Sequence, residues 1–146
     1  MFTNLIPSSD KLLQVKYEAF AEGHFLKDFE KKYPGMQWEL TNRSIMLDLG
    51  RLRMPNNDTQ RSSQVDELKH CGAYWLVKYD FRVAKTKEST KTSGNRCIAF
   101  IDNEKDSLSI LLIYNKNNLP KNQDETVYIF NILKEQYPEY EKKLKV

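Results

Sequence analysis

The sequence predicts an α+β fold in which N-terminal helices pack on an antiparallel sheet of three or more strands, with a helix near the C-terminus. Three observations predict this fold. Apolar residues recur at intervals of three to five between residues 13 and 33, which is typical of helix. They alternate with polar residues from Tyr74 to Lys85, which is typical of a half-buried strand. Helical spacing returns between Gln123 and Tyr137.

Length and composition indicate one globular domain. A chain of 146 residues, 40% hydrophobic and 29% charged, can bury a core of its own and is not of the disordered class. No apolar run approaches the roughly 18 residues of a membrane span, and residues 1–13 lack the pattern of a signal peptide. We therefore expect a cytoplasmic protein with no membrane partner. Two cysteines, two histidines and no C-x-x-C pair make a zinc site unexpected, and no cofactor is predicted.

Two helices are predicted in the N-terminal third. Helical spacing begins at Lys11, after possible capping residues at 8–10, and Pro34-Gly35 ends it. A less regular pattern from Trp38 to Leu49 predicts a second helix, although residues 44–49 also fit a strand.

The remaining segments outside the sheet are a loop, a turn and a helix. Residues 51–64 are rich in Asn, Ser and Arg and predict a loop. Residues 63–70 predict a short helical turn that ends at Gly72. Asn122 with Glu125 resembles a capping box at the start of the C-terminal helix.

Three strands are predicted in the segment from Ala73 to Lys116, at residues 74–85, 96–101 and 108–116. In the first strand, the alternate residues from Trp75 to Val83 predict a side that faces the core, and the opposite side is polar. The third strand is too apolar for an edge position, so we expect it to be central.

The predicted sheet has a cationic, partly aromatic surface. If the last two strands form an antiparallel hairpin around residues 102–107, an even register places Arg96 opposite Tyr114 on one face. A slip of one residue would place them on opposite faces. Guanidinium and ammonium groups on one face suit phosphate recognition. The predicted surface consists of Lys78, Arg82, Arg96, Tyr114 and Lys116.

The connection between the first two strands is a basic loop in which Glu88 is the single acid. Its lysines, hydroxyls and glycine suit contacts with a phosphate backbone. The alternative is a solvated loop that keeps a sheet end from aggregating. For the strand cations, the alternative is a salt bridge with Asp80 or Asp102. The predicted RNA-binding residues are Lys78, Lys85, Lys87 and Lys91.

The order of these parts resembles the RelE/ParE-like toxins of type II toxin–antitoxin systems. The resemblance rests on the basic hairpin, the strand N-R-C-I-A-F, the strand I-L-L-I-Y-N-K and the helix that follows. Members often have an arginine that opens the middle strand, as Arg96 does here, and an aromatic residue and a lysine that end the last strand, as Tyr114 and Lys116 do. The resemblance spans residues 25–137 of a single domain over residues 1–146, with an insertion at residues 51–72.

The resemblance implies a toxin that cleaves mRNA on the ribosome without a metal and is held by an antitoxin protein. The 2′-hydroxyl of the RNA would attack the adjacent phosphate. Two arginines would stabilise the phosphate, and a tyrosine or lysine would serve as acid or base or stack on a base. The general base stays open, because no histidine lies near the sheet end. The implied catalytic residues are Arg96, Arg82, Tyr114 and Lys116.

Three alternatives remain. The ParE branch of the same family inhibits DNA gyrase by protein contact. A metal-dependent nuclease could use Asp48 with Glu67 and Lys69, which weakly resemble an acid followed by E-x-K. A binding module without catalysis could use the same sheet face for RNA or a protein.

Overall fold

The fold is α+β, as predicted, in a computed structural model that describes residues 12–55 and 64–146. The described residues form five helices and one five-stranded sheet. The helices are α1 (Ala19–Gly23), α2 (Leu26–Lys32), α3 (Met36–Gly50), α4 (Glu125–Gln136) and α5 (Pro138–Leu144). The strands are β1 (Gln14–Tyr17), β2 (Val65–Cys71), β3 (Tyr74–Phe81), β4 (Asn95–Asp102) and β5 (Ser107–Asn115). The capping residues predicted at 8–10 and residues 56–63 of the predicted loop lie outside the described residues.

The prediction of one helix from Lys11 to Tyr33 is wrong at its start. Residues 14–17 form β1, which pairs in parallel with β5 from Gln14 opposite Ser107 to Tyr17 opposite Ile110. Val15 and Tyr17 alternate toward the core, so the same apolar residues fit a strand as well as a helix. Helix begins only at α1, and the chain leaves α2 just before Pro34-Gly35, as predicted.

The sheet has the order β1-β5-β4-β3-β2. The prediction that β5 is central is confirmed, and β1 makes the sheet mixed where an antiparallel one was predicted. The helical turn predicted at 63–70 is wrong, because β2 pairs with β3 along this segment. Its charged residues are typical of an edge strand. The resemblance implies that residues 51–72 are an insertion. However, β2 lies within this segment and forms an edge strand of the sheet.

Helices cover both faces of the sheet. The predicted core side of β3 packs against α2 and α3, for example through Phe81 against Phe29 and Trp38. The opposite face was predicted to be polar, but Leu76 and Ile98 are buried there beneath α4 and α5. Burying this second apolar layer stabilises the C-terminal helices on the sheet. Polar side chains remain on this face at both ends, with Asp102 and Ser109 where β4 ends and Asp80 and Arg96 where it begins.

The register at the end where β4 begins depends on a β-bulge. The strand β5 carries one extra residue, Leu111, near the middle of its pairing with β4. A bulge shifts the alternation of side chains by one position. Without it, Ile113 would lie opposite Arg96, whereas with it Tyr114 does. The bulge therefore places Tyr114 on the α4 side of the sheet.

The second predicted helix is confirmed as α3, and residues 44–49 are helical. In the described part of the chain, no helix has the length and apolar character needed to cross a bilayer.

Candidate functional site

The predicted pairing of Arg96 with Tyr114 is confirmed at the end of the β4–β5 hairpin. Both side chains lie on the sheet face that α4 covers. Tyr114 has no exposed surface, and the Arg96 side chain is 16% exposed. The two residues share a carboxylate that the sequence analysis did not identify, Glu125.

Glu125 is the first residue of α4 and accepts hydrogen bonds from both neighbours. The Nη1 group of Arg96 donates to both carboxylate oxygens, with Oε2 at 2.5 Å. The hydroxyl of Tyr114 donates to Oε2, also at 2.5 Å. Asp124 caps the helix by accepting from the backbone N–H groups of Thr126 and Val127, so the helix start holds Glu125 over the sheet.

Two further charges from β3 complete the group. Asp80 Oδ1 lies 3.2 Å from Arg96 Nε, and Lys78 Nζ lies 3.8 Å from Glu125 Oε1. Lys78 also reaches the exposed Asp66 on β2 at 3.7 Å. We call Lys78, Asp80, Arg96, Tyr114 and Glu125 the Arg96 cluster.

The ion pairs of the Arg96 cluster shift the protonation of its members. Burial by itself would raise the pKa of Glu125, but the hydrogen bonds from Tyr114 and Arg96 and the charge of Lys78 lower it. Burial and the bond to Glu125 raise the pKa of the Tyr114 hydroxyl. Burial also raises the pKa of Asp80, against the pull of Arg96. Glu125 is therefore ionised and Tyr114 protonated at neutral pH.

The other predicted cations lie outside the Arg96 cluster. Arg82 was predicted on the strand beside Lys78, but β3 ends at Phe81, and Arg82 is exposed, with Nη1 3.3 Å from the carbonyl oxygen of Thr86. The lysines of the basic loop are likewise exposed. These are Lys85, Lys87 and Lys91.

Lys116 follows β5 and opens a short 3₁₀ turn, Lys116–Asn118. Its aliphatic chain lies against Gly94, where a Cβ would stand 3.0 Å from Lys116 Cγ, and the φ of +75° at Gly94 also favours glycine. Lys116, Lys121 and Glu125 line one concavity of about 480 Å³. This concavity brings the predicted Lys116 to the edge of the Arg96 cluster.

Sequence reasoning missed Glu125 as a site residue and did not assign Asp80 to Arg96. Glu125 was noticed only as the end of a capping box with Asn122, and the cap is Asp124 instead. Its contact with Arg96 depends on where α4 begins relative to the sheet, which local spacing does not determine. Asp80 was considered as a partner of the strand cations, and the pairing with Arg96 follows from their opposite positions on β3 and β4.

The residues of the metal-dependent alternative lie on different elements. Asp48 is on α3 and accepts a hydrogen bond from the hydroxyl of Tyr79, whereas Glu67 is exposed on β2. Among residues 12–55 and 64–146, no group of three or more His, Cys, Asp and Glu side chains is placed to hold a metal ion.

Comparisons with protein-family models, curated proteins and solved structures found no match to this chain.

Proposed function

We propose that this protein is a metal-independent endoribonuclease, the toxin of a toxin–antitoxin pair, which acts on mRNA at the ribosome in the cytoplasm. One observation carries the proposal. Glu125 contacts both Arg96 and Tyr114 and also lines the concavity that contains Lys116. Glu125 brings a carboxylate to the concavity that Lys116 also lines, and the guanidinium of Arg96 is hydrogen-bonded to that carboxylate. A base, an acid and a cation beside the phosphate are the groups that RNA cleavage through the 2′-hydroxyl requires.

In this mechanism Glu125 is the general base, a role left open by the sequence. It takes the proton of the 2′-hydroxyl, whose oxygen then attacks the adjacent phosphorus. The bond from phosphorus to the 5′-oxygen breaks, and Lys116 supplies the proton to that leaving oxygen. The products are a 2′,3′-cyclic phosphate and a 5′-hydroxyl.

Arg96 and Tyr114 support the same reaction in different ways. Arg96 donates to Glu125 through Nη1 and its Nε lies 3.2 Å from Asp80, so in the proposed reaction its guanidinium supplies positive charge beside the phosphate. Tyr114 is buried with a raised pKa, so it positions Glu125 as a hydrogen-bond donor.

The experiment is cleavage of mRNA by the purified protein in the presence of a chelator, with and without translating ribosomes. We expect new RNA ends that carry 2′,3′-cyclic phosphates, and a mutant in which Lys134 on α4 is changed to Gln serves as a surface control. RNA that stays intact under both conditions contradicts the proposal. Intact RNA together with loss of gyrase supercoiling activity would instead support the gyrase alternative.

A second candidate is RNA binding without catalysis. It is favoured by the pairing of charges within the Arg96 cluster, which contrasts with the exposed lysines of the basic loop. Combined replacement of Lys85, Lys87 and Lys91 by Gln should then reduce RNA affinity and its dependence on salt. Saturable RNA binding without any cleavage by the wild-type protein would support this candidate.

A further inference from the structure

A second concavity lies at the opposite end of the sheet from the Arg96 cluster. It has a volume of about 340 Å³ and is formed where β1, β4 and β5 meet α5. Along β4, Asp102 at this concavity is six residues from Arg96, which corresponds to roughly 20 Å of strand. No residue lines both this concavity and the one beside Glu125.

Three lysines from three separate elements line this concavity: Lys16 on β1, Lys105 in the β4–β5 turn and Lys143 on α5. Asp102 is the lining carboxylate, and its Oδ1 accepts from the backbone N–H groups of Glu104 and Lys105. The lining residues therefore carry three positive charges and one negative charge. Glu18 lies beside them, 3.6 Å from Lys16 Nζ and accepting from the Tyr140 hydroxyl at 2.9 Å, so the local excess is one positive charge. A positive excess in a concave surface favours an anion.

Lys16 and Lys143 both contact neighbouring side chains. Lys16 Nζ lies 3.6 Å from Glu18 on a side chain that is 66% exposed, and Lys143 Nζ stands 5.4 Å from the ring centre of Tyr74. An ion pair with an exposed partner contributes little to stability, so the Lys16 ammonium can turn toward an anion at small cost. Lys143 and Tyr74 are both half-buried, and Lys143 lines the concavity from its place on α5.

Hydroxyl and aromatic groups line the rest of the concavity. Ser107 and Ser109 of β5 lie in it, and Ser109 Oγ is 3.4 Å from the hydroxyl of Tyr140. The ring of Tyr140 stacks on Phe100 with 4.2 Å between ring centres and 15° between planes. The combination of cations, hydroxyls and aromatic side chains suits a phosphate joined to a planar base.

We propose that this concavity binds a nucleoside monophosphate, with its phosphate at Lys105 and Lys143 and its base toward Tyr140. Its volume is within the range of small-molecule sites. The same chemistry is offered by a free mononucleotide and by the phosphorylated 5′ end of an RNA chain. The site uses no residue of the Arg96 cluster, so it does not depend on the proposed ribonuclease activity.

The test is a titration of the full chain with each of four probes. Calorimetry measures the affinity, and backbone amide NMR shifts show which residues respond. The probes are adenosine 5′-monophosphate, adenosine, inorganic phosphate and a 5′-phosphorylated RNA trinucleotide that is 2′-O-methylated so that it cannot be cleaved. We expect saturable binding of the monophosphate, with shifts at Ser107 and Ser109, and binding of adenosine that is at least roughly tenfold weaker. If the mononucleotide binds more tightly than the trinucleotide, the ligand is a free mononucleotide. If the trinucleotide binds more tightly, the ligand is the phosphorylated 5′ end of an RNA chain.

Two double variants that remove the same charge distinguish binding at this concavity from nonspecific attraction to a basic protein. Replacing Lys105 and Lys143 by Gln should weaken binding by roughly tenfold or more. Replacing Lys134 and Lys142 by Gln removes the same charge from exposed positions of α4 and α5, and should leave binding unchanged. Circular dichroism confirms that both variants fold. Equal weakening by the two variants, equal binding of adenosine and its monophosphate, or shifts confined to residues 85–91 would overturn the proposal.

Discussion

The hydroxyl of Tyr114 donates a hydrogen bond to Glu125, and the residue has no exposed surface. A ring buried in this way has no face on which a nucleobase can stack. Burial and the neighbouring carboxylate raise the pKa of the hydroxyl, so it stays protonated. The sequence analysis proposed Tyr114 as an acid, a base or a stacking residue, whereas these observations favour a different role, the positioning of Glu125.

The protonation of Glu125 predicts how stability changes with pH. The pKa of Glu125 in the folded protein lies below its usual 4.5, because the hydrogen bonds from Tyr114 and Arg96 outweigh burial. Its stabilising contribution is therefore complete above about pH 4.5 and is lost as the pH falls through the folded pKa. Asp80, whose pKa burial raises, contributes with the opposite sign.

We expect Glu125→Gln to lower the free energy of unfolding by about 2 kcal/mol at neutral pH, since hydrogen bonds to a charged group are lost. The difference from wild type should shrink as the pH falls below 4.5. Urea denaturation across pH measures it, with Glu135→Gln on the exposed side of α4 as the control. A difference that stays constant with pH would contradict the assignment.

Arg96 forms ion pairs with two carboxylates, those of Glu125 and Asp80, so replacing it should change the stability of the fold. Arg96→Ala would leave Glu125 and Asp80 without their main partner in a mostly buried setting, so we expect a loss of about 3 kcal/mol in unfolding free energy. Arg96→Lys keeps the charge and should lose less, although it loses the fork of parallel N–H donors. Thermal and urea unfolding of both variants measure the difference. Equal stability of wild type and Arg96→Ala would show that these ion pairs contribute nothing.

At the scale of elements, the start of α4 determines where Glu125 lies. The sequence predicts Asn122 as the cap, whereas Asp124 makes the capping bonds. We therefore expect Asp124→Ala to cost about 1 kcal/mol of stability and Asp124→Ser to retain most of it. Asn122→Ala should have no measurable effect on urea denaturation. A larger loss from Asn122→Ala than from Asp124→Ala would restore the cap predicted from the sequence.

The strands differ in how far the sequence predicts them. Regular alternation identifies β3 and the apolar run identifies the central β5, because both signals are local. The short β1 and the charged β2 are stabilised mainly by pairing with β5 and β3, which local spacing does not show. The pairing of Arg96 with Tyr114 is right, although it depends on the bulge at Leu111, which no residue pattern marked.

At the scale of the whole molecule, the candidate site is assembled from three strands and a helix. The sequence predicts Lys78 on β3, Arg96 on β4 and Tyr114 on β5 as members of one face, although the position of Tyr114 depends on the bulge at Leu111. It does not predict Glu125, because the position of α4 depends on a second apolar layer that includes Leu76 and Ile98. This layer covers the middle of the sheet face that was predicted to be polar, and polar side chains remain at both ends of that face.

Because helices cover both faces of the sheet, the two cysteines should differ strongly in reactivity toward a thiol reagent. Cys97 is fully buried in β4, and burial raises the pKa of its thiol, whereas Cys71 on β2 is partly exposed. Native protein should therefore react with a thiol reagent at Cys71 first, and at Cys97 only at the rate of unfolding. Labelling of wild type and Cys71→Ser, followed by mass spectrometry, measures both rates. Fast labelling of Cys97 in folded Cys71→Ser would contradict the described packing of the sheet.

The central claim is that Glu125 is the base of an RNA-cleaving site that Arg96 and Tyr114 complete. The most direct measurement compares the RNA cleavage rate and RNA affinity of wild type with those of Glu125→Gln, in chelator, with Glu135→Gln as the matched control. We expect a loss of rate on the order of 100-fold or more for Glu125→Gln, with RNA affinity nearly unchanged and the control unaffected. Cleavage by Glu125→Gln at the wild-type rate would contradict the central claim.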